Sequence, residues 1–236
     1  MGRNVKVAVA GVGNCASALI QGTRYYKKNN SKTVTPDGDL IGLTAFNLGG
    51  IEPADIEFVA AFDVSDKKVG RDLAEAIFAE PNNTVRIIEG LEKMDIKVQK
   101  GEVLDGLGKH LSQKIKVANG SPANVSQVLK DTGAEMLLNY LPVGSRKATQ
   151  FYAESCLQAG CAFVNAIPVF IASTPKWQQA FEGKGLVCAG DDVMSQLGAT
   201  VVHKTLVKLF VDRGVKIDQT YQLNIGGDMD FYNMLD

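Results

Sequence analysis

The sequence predicts an α/β protein: a doubly wound parallel sheet with helices on both faces. Three observations carry that expectation. Short apolar runs alternate with longer stretches of helical periodicity, each run ends in Gly, Pro or Asp, and 45% of the 236 residues are hydrophobic, enough to fill a core between layers. That length is long for one domain and short for two, so one domain with part of another is expected.

The elements follow in order. A strand over Val5–Gly11 (VKVAVAG) leads into a helix from Asn14 to about Tyr26, and a polar, glycine-rich insertion at about 27–53 separates that helix from a strand over Ile56–Asp63. A helix from Asp66 to about Phe78 follows, then an irregular excursion at about 81–120 with room for short strands. Pro122 after Ser121 marks a helix running to Asp131, with Gly133 as its stop. Next come a strand over Ala134–Pro142, a helix over Ser145–Gln158 closed by Gly160, and a strand over Cys161–Pro168. Trp177, in STPKWQQAF, is a packing residue at a helix start. A strand over Gly185–Asp192 precedes a long helix over Ser195–Gly214, on which His203 packs among apolar neighbours. The β-like run QTYQLNI then delivers NIGGDMDF.

Composition narrows the function classes. The 25 basic and 26 acidic residues nearly cancel, and no Lys/Arg cluster is interleaved with aromatics, so nucleic acid is not an expected partner. No run approaches membrane-spanning length, and the apolar N-terminal run is too short for a signal peptide. Cys15, Cys156, Cys161 and Cys188 form no CxxC pair, which fits a reducing compartment. A soluble, cytoplasmic protein acting on small molecules is expected.

After the first strand comes GVGNCAS, in which Gly11, Gly13 and Ala16 match the dinucleotide pattern G-x-G-x-x-G/A of the Rossmann fold. The glycines allow a tight turn and a close backbone approach to a diphosphate. The small Ala16 lets the helix pack on the strand and aim its N-terminal dipole at the phosphates, with Asn14 and Cys15 adding backbone N–H groups between them. Asp63 closes the second strand, where a carboxylate accepts both ribose hydroxyls and repels a 2′-phosphate, favouring NAD over NADP. The alternatives are a structural turn and a capping aspartate. Asp191 and Asp192 also end a strand, where open α/β sheets place ligands; the alternative is that they and Ser195 cap the helix that follows.

GVGNCASALIQG, FVAAFDVSDKKVG, YLPVGS, FVNAIPVFIAS, GDDVMSQLGAT and the terminal N-x-G-G-x-x-D-F together resemble the myo-inositol-1-phosphate synthase family of the bacterial and archaeal type, over nearly the whole chain. The resemblance implies NAD-dependent isomerisation of D-glucose 6-phosphate to 1D-myo-inositol 3-phosphate (L-myo-inositol 1-phosphate): oxidation at C5, enolisation, aldol closure onto C1, and reduction. It places the protein in inositol and phospholipid biosynthesis, as a homotetramer. It puts Leu141, Pro142, Gly144, Ser145, Asn165, Ala166, Asp191 and Asp192 at the cofactor, and Ser195, Asn224 and Asp228 at the substrate. Asp192 and Asp230 belong among the catalytic groups, Asp230 ordering a lysine or a divalent cation.

By the same resemblance, residues 1–200 form the NAD-binding domain and 201–236 begin an incomplete α+β catalytic and oligomerisation domain. The family's catalytic lysines mostly follow the N-x-G-G-x-x-D segment, so a truncated chain lacking them is expected. A non-catalytic NAD-binding module is the alternative. Two positions depart from the family: Met194 stands where lysine is usual and Asp228 where asparagine is usual, both unfavourable to a bound phosphate. A simple dehydrogenase is a third reading, for which no base or substrate arginine presents itself.

Overall fold

The computed structural model describes residues 4–29, 42–195, 197–225 and 229–235. In chain order its elements are β1 (Val5–Ala10), α1 (Asn14–Asn29), β2 (Ile56–Asp63), α2 (Leu73–Ala76), β3 (Gln99–Lys100), α3 (Val125–Thr132), β4 (Met136–Asn139), α4 (Arg146–Ala159), β5 (Ala162–Asn165), α5 (Pro175–Glu182), β6 (Cys188–Ala189), α6 (Ala199–Asp212) and α7 (Met229–Asn233). Among the described residues six strands form one sheet in the order β3-β2-β1-β4-β5-β6, every neighbouring pair parallel. That is the strand order of the dinucleotide-binding fold, reversing direction between β1 and β4.

The period of two along the central strands makes two cores from one sheet. Val7 and Val9 of β1 with Phe58 and Ala61 of β2 face one side, packed by Ile20, Leu73, Ile77 and Val98. Ala8 and Ala10 with Ala60 and Phe62 face the other, packed by Leu129, Leu137, Tyr152, Phe163 and Phe181. A register shift between Val7 and Ala8 reconciles the two strands. Trp177 is buried in the second core two residues after Pro175 opens α5, in keeping with its reading as a packing residue at a helix start.

Several elements depart from expectation. The helix expected over Asp66–Phe78 shrinks to Leu73–Ala76, because Gly70 has φ +85° and the backbone there bonds the 96–98 segment instead: Gly70 N–H to the Val98 carbonyl, Leu73 N–H to Ile96, and Val98 N–H to Arg71. Asp72 caps the remaining turn by accepting from the Ala74 N–H. α3 begins at Val125 rather than Pro122, since Asn124 is its N-cap, and it stops at Gly133 as expected. α6 begins at Ala199 behind Gly198, not at Ser195. The run QTYQLNI forms no strand: it pairs with no described residue, and Tyr221 and Ile225 are 88% and 89% exposed. Part of the expected insertion, residues 30–41, lies outside the described residues.

Candidate functional site

The carboxyl ends of β1, β2 and β4 open into a cleft at the point where strand order reverses, enclosing roughly 1030 Å³ of space, its open mouth included. Gly11, Gly13, Asp63, Lys68, Leu141 and Tyr152 are among its walls. Gly11 has φ +89°, and a side chain there would collide with the carbonyl oxygen of Tyr140. Around Gly13 a Cβ would meet nothing within 4 Å. The first glycine is thus demanded by the protein, and the second leaves room beside α1 for something else. Ala16 is fully buried in the core, where a larger residue would push α1 off β1. Asn14 and Cys15 line the cleft, and the Asn14 side chain exchanges hydrogen bonds with Asn83. The open space at Gly13, facing the first turn of α1, fits a dinucleotide's diphosphate.

Asp63 does more than face the cleft. Its Oδ2 accepts from the Val12 N–H at 2.9 Å, while Oδ1 accepts from Val64 and Ser65 N–H at 2.8 and 2.9 Å. Lys68, which sequence reasoning passed over, is 4% exposed; its ammonium donates to the Val12 carbonyl at 2.7 Å and lies 3.7 Å from Asp63 Oδ2. In sequence it belongs to DKK, a pattern that reads as a solvated face.

Tyr140 and Tyr152 complete the inner wall. Burial raises the Tyr140 hydroxyl above its usual value, the neighbouring Cys15 adding to the effect. Burial also raises Tyr152, followed by the charges of Asp63 and Glu102, so it stays protonated.

The post-β4 turn is held from three sides. Leu141 and Pro142 line the cleft, whereas Ser145 is fully buried and donates its hydroxyl to the Pro142 carbonyl. Gly144 has φ +98° and sits against Asn233. Asn233, buried on α7, donates to the Val143 carbonyl at 2.6 Å and accepts from the Gly108 N–H at 3.3 Å. Asp105 caps α4 from a distance, its oxygens accepting from Lys147 N–H at 2.6 Å and Ala148 N–H at 3.0 Å. Neither Asn233 nor Asp105 carried a local sequence signal, because each bonds a segment far along the chain.

Asn165 and Asp191 belong to a polar network across β4, β5 and the segment after β6. Asn139 Nδ2 donates to Asn165 Oδ1 at 2.8 Å, and Asn165 Nδ2 donates to Asp191 Oδ1 at 2.8 Å and to the carbonyls of Ile167 and Val169. Asp191 also accepts from the N–H groups of Ile171, Ala172 and Ser173 and from the Ser173 hydroxyl. Burial pushes its carboxyl up, but the hydrogen bonds from Asn165, Ser173, Ala172 and Ile171 outweigh that and hold it below its ordinary value of 3.8. The cap reading of Asp191 is therefore corrected in target: it organises the turn before α5, not the start of α6. Burial and the Asp191 charge push the nearby Cys188 thiol up to about 11.

Ala166 is half-buried behind β5, its N–H on the Asn139 carbonyl. Asp192 is exposed with φ +72°, its carboxylate accepting from the Val193 N–H. Ser195 and Asn224 meet in a separate shallow depression with Met194 and Phe231, and among the described residues no basic side chain lines it. Asp228 lies outside the described residues, as does the side chain of Asp230 on α7. Among the described residues no group of three or more His, Cys, Asp or Glu side chains is placed to hold a metal ion, and no helix is long and apolar enough to cross a membrane.

A family model described as myo-inositol-1-phosphate synthase matches residues 198–236. The inositol-3-phosphate synthase of Mycolicibacterium smegmatis is 50% identical over 232 residues, which is 98% of this chain and 62% of that protein. The chain thus spans about three fifths of the curated relatives it matches. Among solved structures, that of Ari2 superposes with a TM-score of 0.85 at 37% identity, over 98% of this chain and 67% of the other. A myo-inositol-1-phosphate synthase-related protein from Thermotoga maritima superposes with a TM-score of 0.68 at 23% identity, over 98% of this chain and 65% of that one, a likeness of fold.

Proposed function

This chain belongs to the myo-inositol-1-phosphate synthase family, and from that premise we propose that it binds NAD in the cleft at Gly11 and Gly13 and serves isomerisation of D-glucose 6-phosphate to 1D-myo-inositol 3-phosphate. The observation that carries the nucleotide reading is the glycine loop at the reversal of strand order, with open space at Gly13 and a carboxylate, Asp63, closing β2. The loop and the start of α1 hold the diphosphate, Asp63 takes the adenosine ribose, and the turn at Leu141 and Pro142 borders the cleft from β4. Bound NAD would accept a hydride from the sugar and return it after ring closure. Asp192, Ser195 and Asn224 then belong to the sugar phosphate's side, with Asp228 and Asp230 beside them and Asp230 as a candidate ligand for a divalent cation. Residues 1–200 form the nucleotide domain, and 201–236 open a catalytic and tetramer-forming unit. A cytoplasmic place in inositol and phospholipid synthesis fits this chemistry.

One observation favours a second reading, an NAD-binding module without catalysis of its own: among the described residues, the depression holding Ser195 and Asn224 offers a phosphate no lysine, arginine or histidine. Two measurements divide the readings. Titration calorimetry is expected to show NAD binding in either case, and failure to bind sinks both. Inositol phosphate formed from glucose 6-phosphate with NAD, above a protein-free control, supports the isomerase; NAD binding with no product supports the module.

A further inference from the structure

Lys68 is a buried cation in the wall of the nucleotide cleft, and among the described residues its ammonium touches only the Val12 carbonyl and the Asp63 carboxylate. Val12 is the residue between the two glycines. Its N–H is held by Asp63 and its C=O by Lys68, so both backbone polar groups of that residue are fixed by one ion pair. An ammonium has three donors, and one serves Val12. A lysine buried to this degree needs acceptors, and the cleft is where they are lacking. The carboxylate beside it is committed to three backbone N–H groups, leaving limited capacity for ribose hydroxyl protons.

We infer that Lys68 is a ribose-reading residue, which donates to a hydroxyl oxygen of the adenosine ribose and sets the discrimination between NAD and NADP. The inference rests on the nucleotide reading above. A 2′-phosphate brings a charge of nearly −2 to the edge of the ribose. Against Asp63 alone it would meet bare repulsion; against the Asp63–Lys68 pair it meets a compensated charge. Lys68 therefore moderates the rejection of NADP while strengthening NAD. A residue that merely shaped the loop would alter both affinities by the same factor.

Calorimetric titrations of the wild-type chain and Lys68→Met with NAD and with NADP separate these roles. Lys68→Met is expected to weaken NAD about tenfold and NADP about a hundredfold, so that the ratio of their dissociation constants rises about tenfold. Equal weakening of both, or a falling ratio, overturns the inference. Because Lys68→Met leaves the half-buried Asp63 carboxylate without its partner, a second pair guards against loss of folding. Asp63→Asn alone is expected to bind NADP at least tenfold more tightly than Asp63→Asn/Lys68→Met, since only the first keeps the ammonium. Equal NADP affinity in that pair also overturns it. Wild-type chain that binds neither nucleotide would remove the nucleotide reading itself, a result distinct from an unchanged ratio.

Discussion

Gly11 and Gly13 stand two residues apart, and the space around each separates their roles. Alanine at Gly11 meets a left-handed backbone and the Tyr140 carbonyl together, so Gly11→Ala is expected to cost on the order of 2–4 kcal/mol in denaturant unfolding. Alanine at Gly13 points into open cleft, so its stability should stay within about 1 kcal/mol of wild type while NAD affinity falls at least tenfold. Full NAD affinity in a folded Gly13→Ala protein would place the diphosphate elsewhere. Asp191 gives a pH-dependent test. Its carboxyl is held below 3.8 in the fold, so its contribution is fully present above about pH 4 and disappears as pH falls through the lowered value. Asp191→Ala strands the donors of Asn165, Ile171, Ala172 and Ser173, and is expected to cost about 2–3 kcal/mol at pH 7, a gap that narrows below pH 4. A gap independent of pH down to pH 2 would mean the loss is one of packing, not of charge.

At the scale of elements, α4 is the clearest case of a helix finished by a distant part of the chain. Its own N-cap residue, Ser145, makes no side-chain cap bond, and Asp105 supplies both acceptors from the excursion. Asp105→Ala is therefore expected to lower stability by about 1 kcal/mol, as loss of a local cap would, and to speed amide exchange at Lys147 and Ala148. Exchange unchanged at those amides would show that water replaces the carboxylate without cost. The same element shows what sequence reveals and what it hides. β1 and β2 were legible because their alternation dictates which side chains face which core, and the stops at Gly133 and Gly160 were legible because both take left-handed caps. α2 was not, since its expected first turns bond the 96–98 segment, a partner no local window contains. In the site, Gly11 and Gly13 announced themselves by spacing and Asp63 by closing the second strand; Lys68, Asp105 and Asn233 act through bonds spanning 56, 42 and 90 positions.

Across the whole molecule, burial is uneven. The sheet is covered on both faces, yet α6 has no buried side chain, and Val202, Leu206, Leu209 and Phe210 form an apolar stripe 44–51% exposed along it. The segment after it adds Tyr221, Leu223 and Ile225, all more than two thirds exposed. Apolar surface gathered in this way favours association, because each side chain removed from water contributes without any offsetting loss of existing contacts. The chain is accordingly expected to show a scattering mass that rises with concentration in the micromolar range and falls when Leu206 and Phe210 are both replaced by lysine. The charges would interrupt the exposed apolar stripe, on the side of the helix opposite Lys204 and Lys208, and no buried contact of α6 would be lost, so the melting temperature should not drop. A variant that stays associated places the contact away from α6; one that melts several degrees lower shows that α6 packs more firmly on its own chain than its exposure indicates.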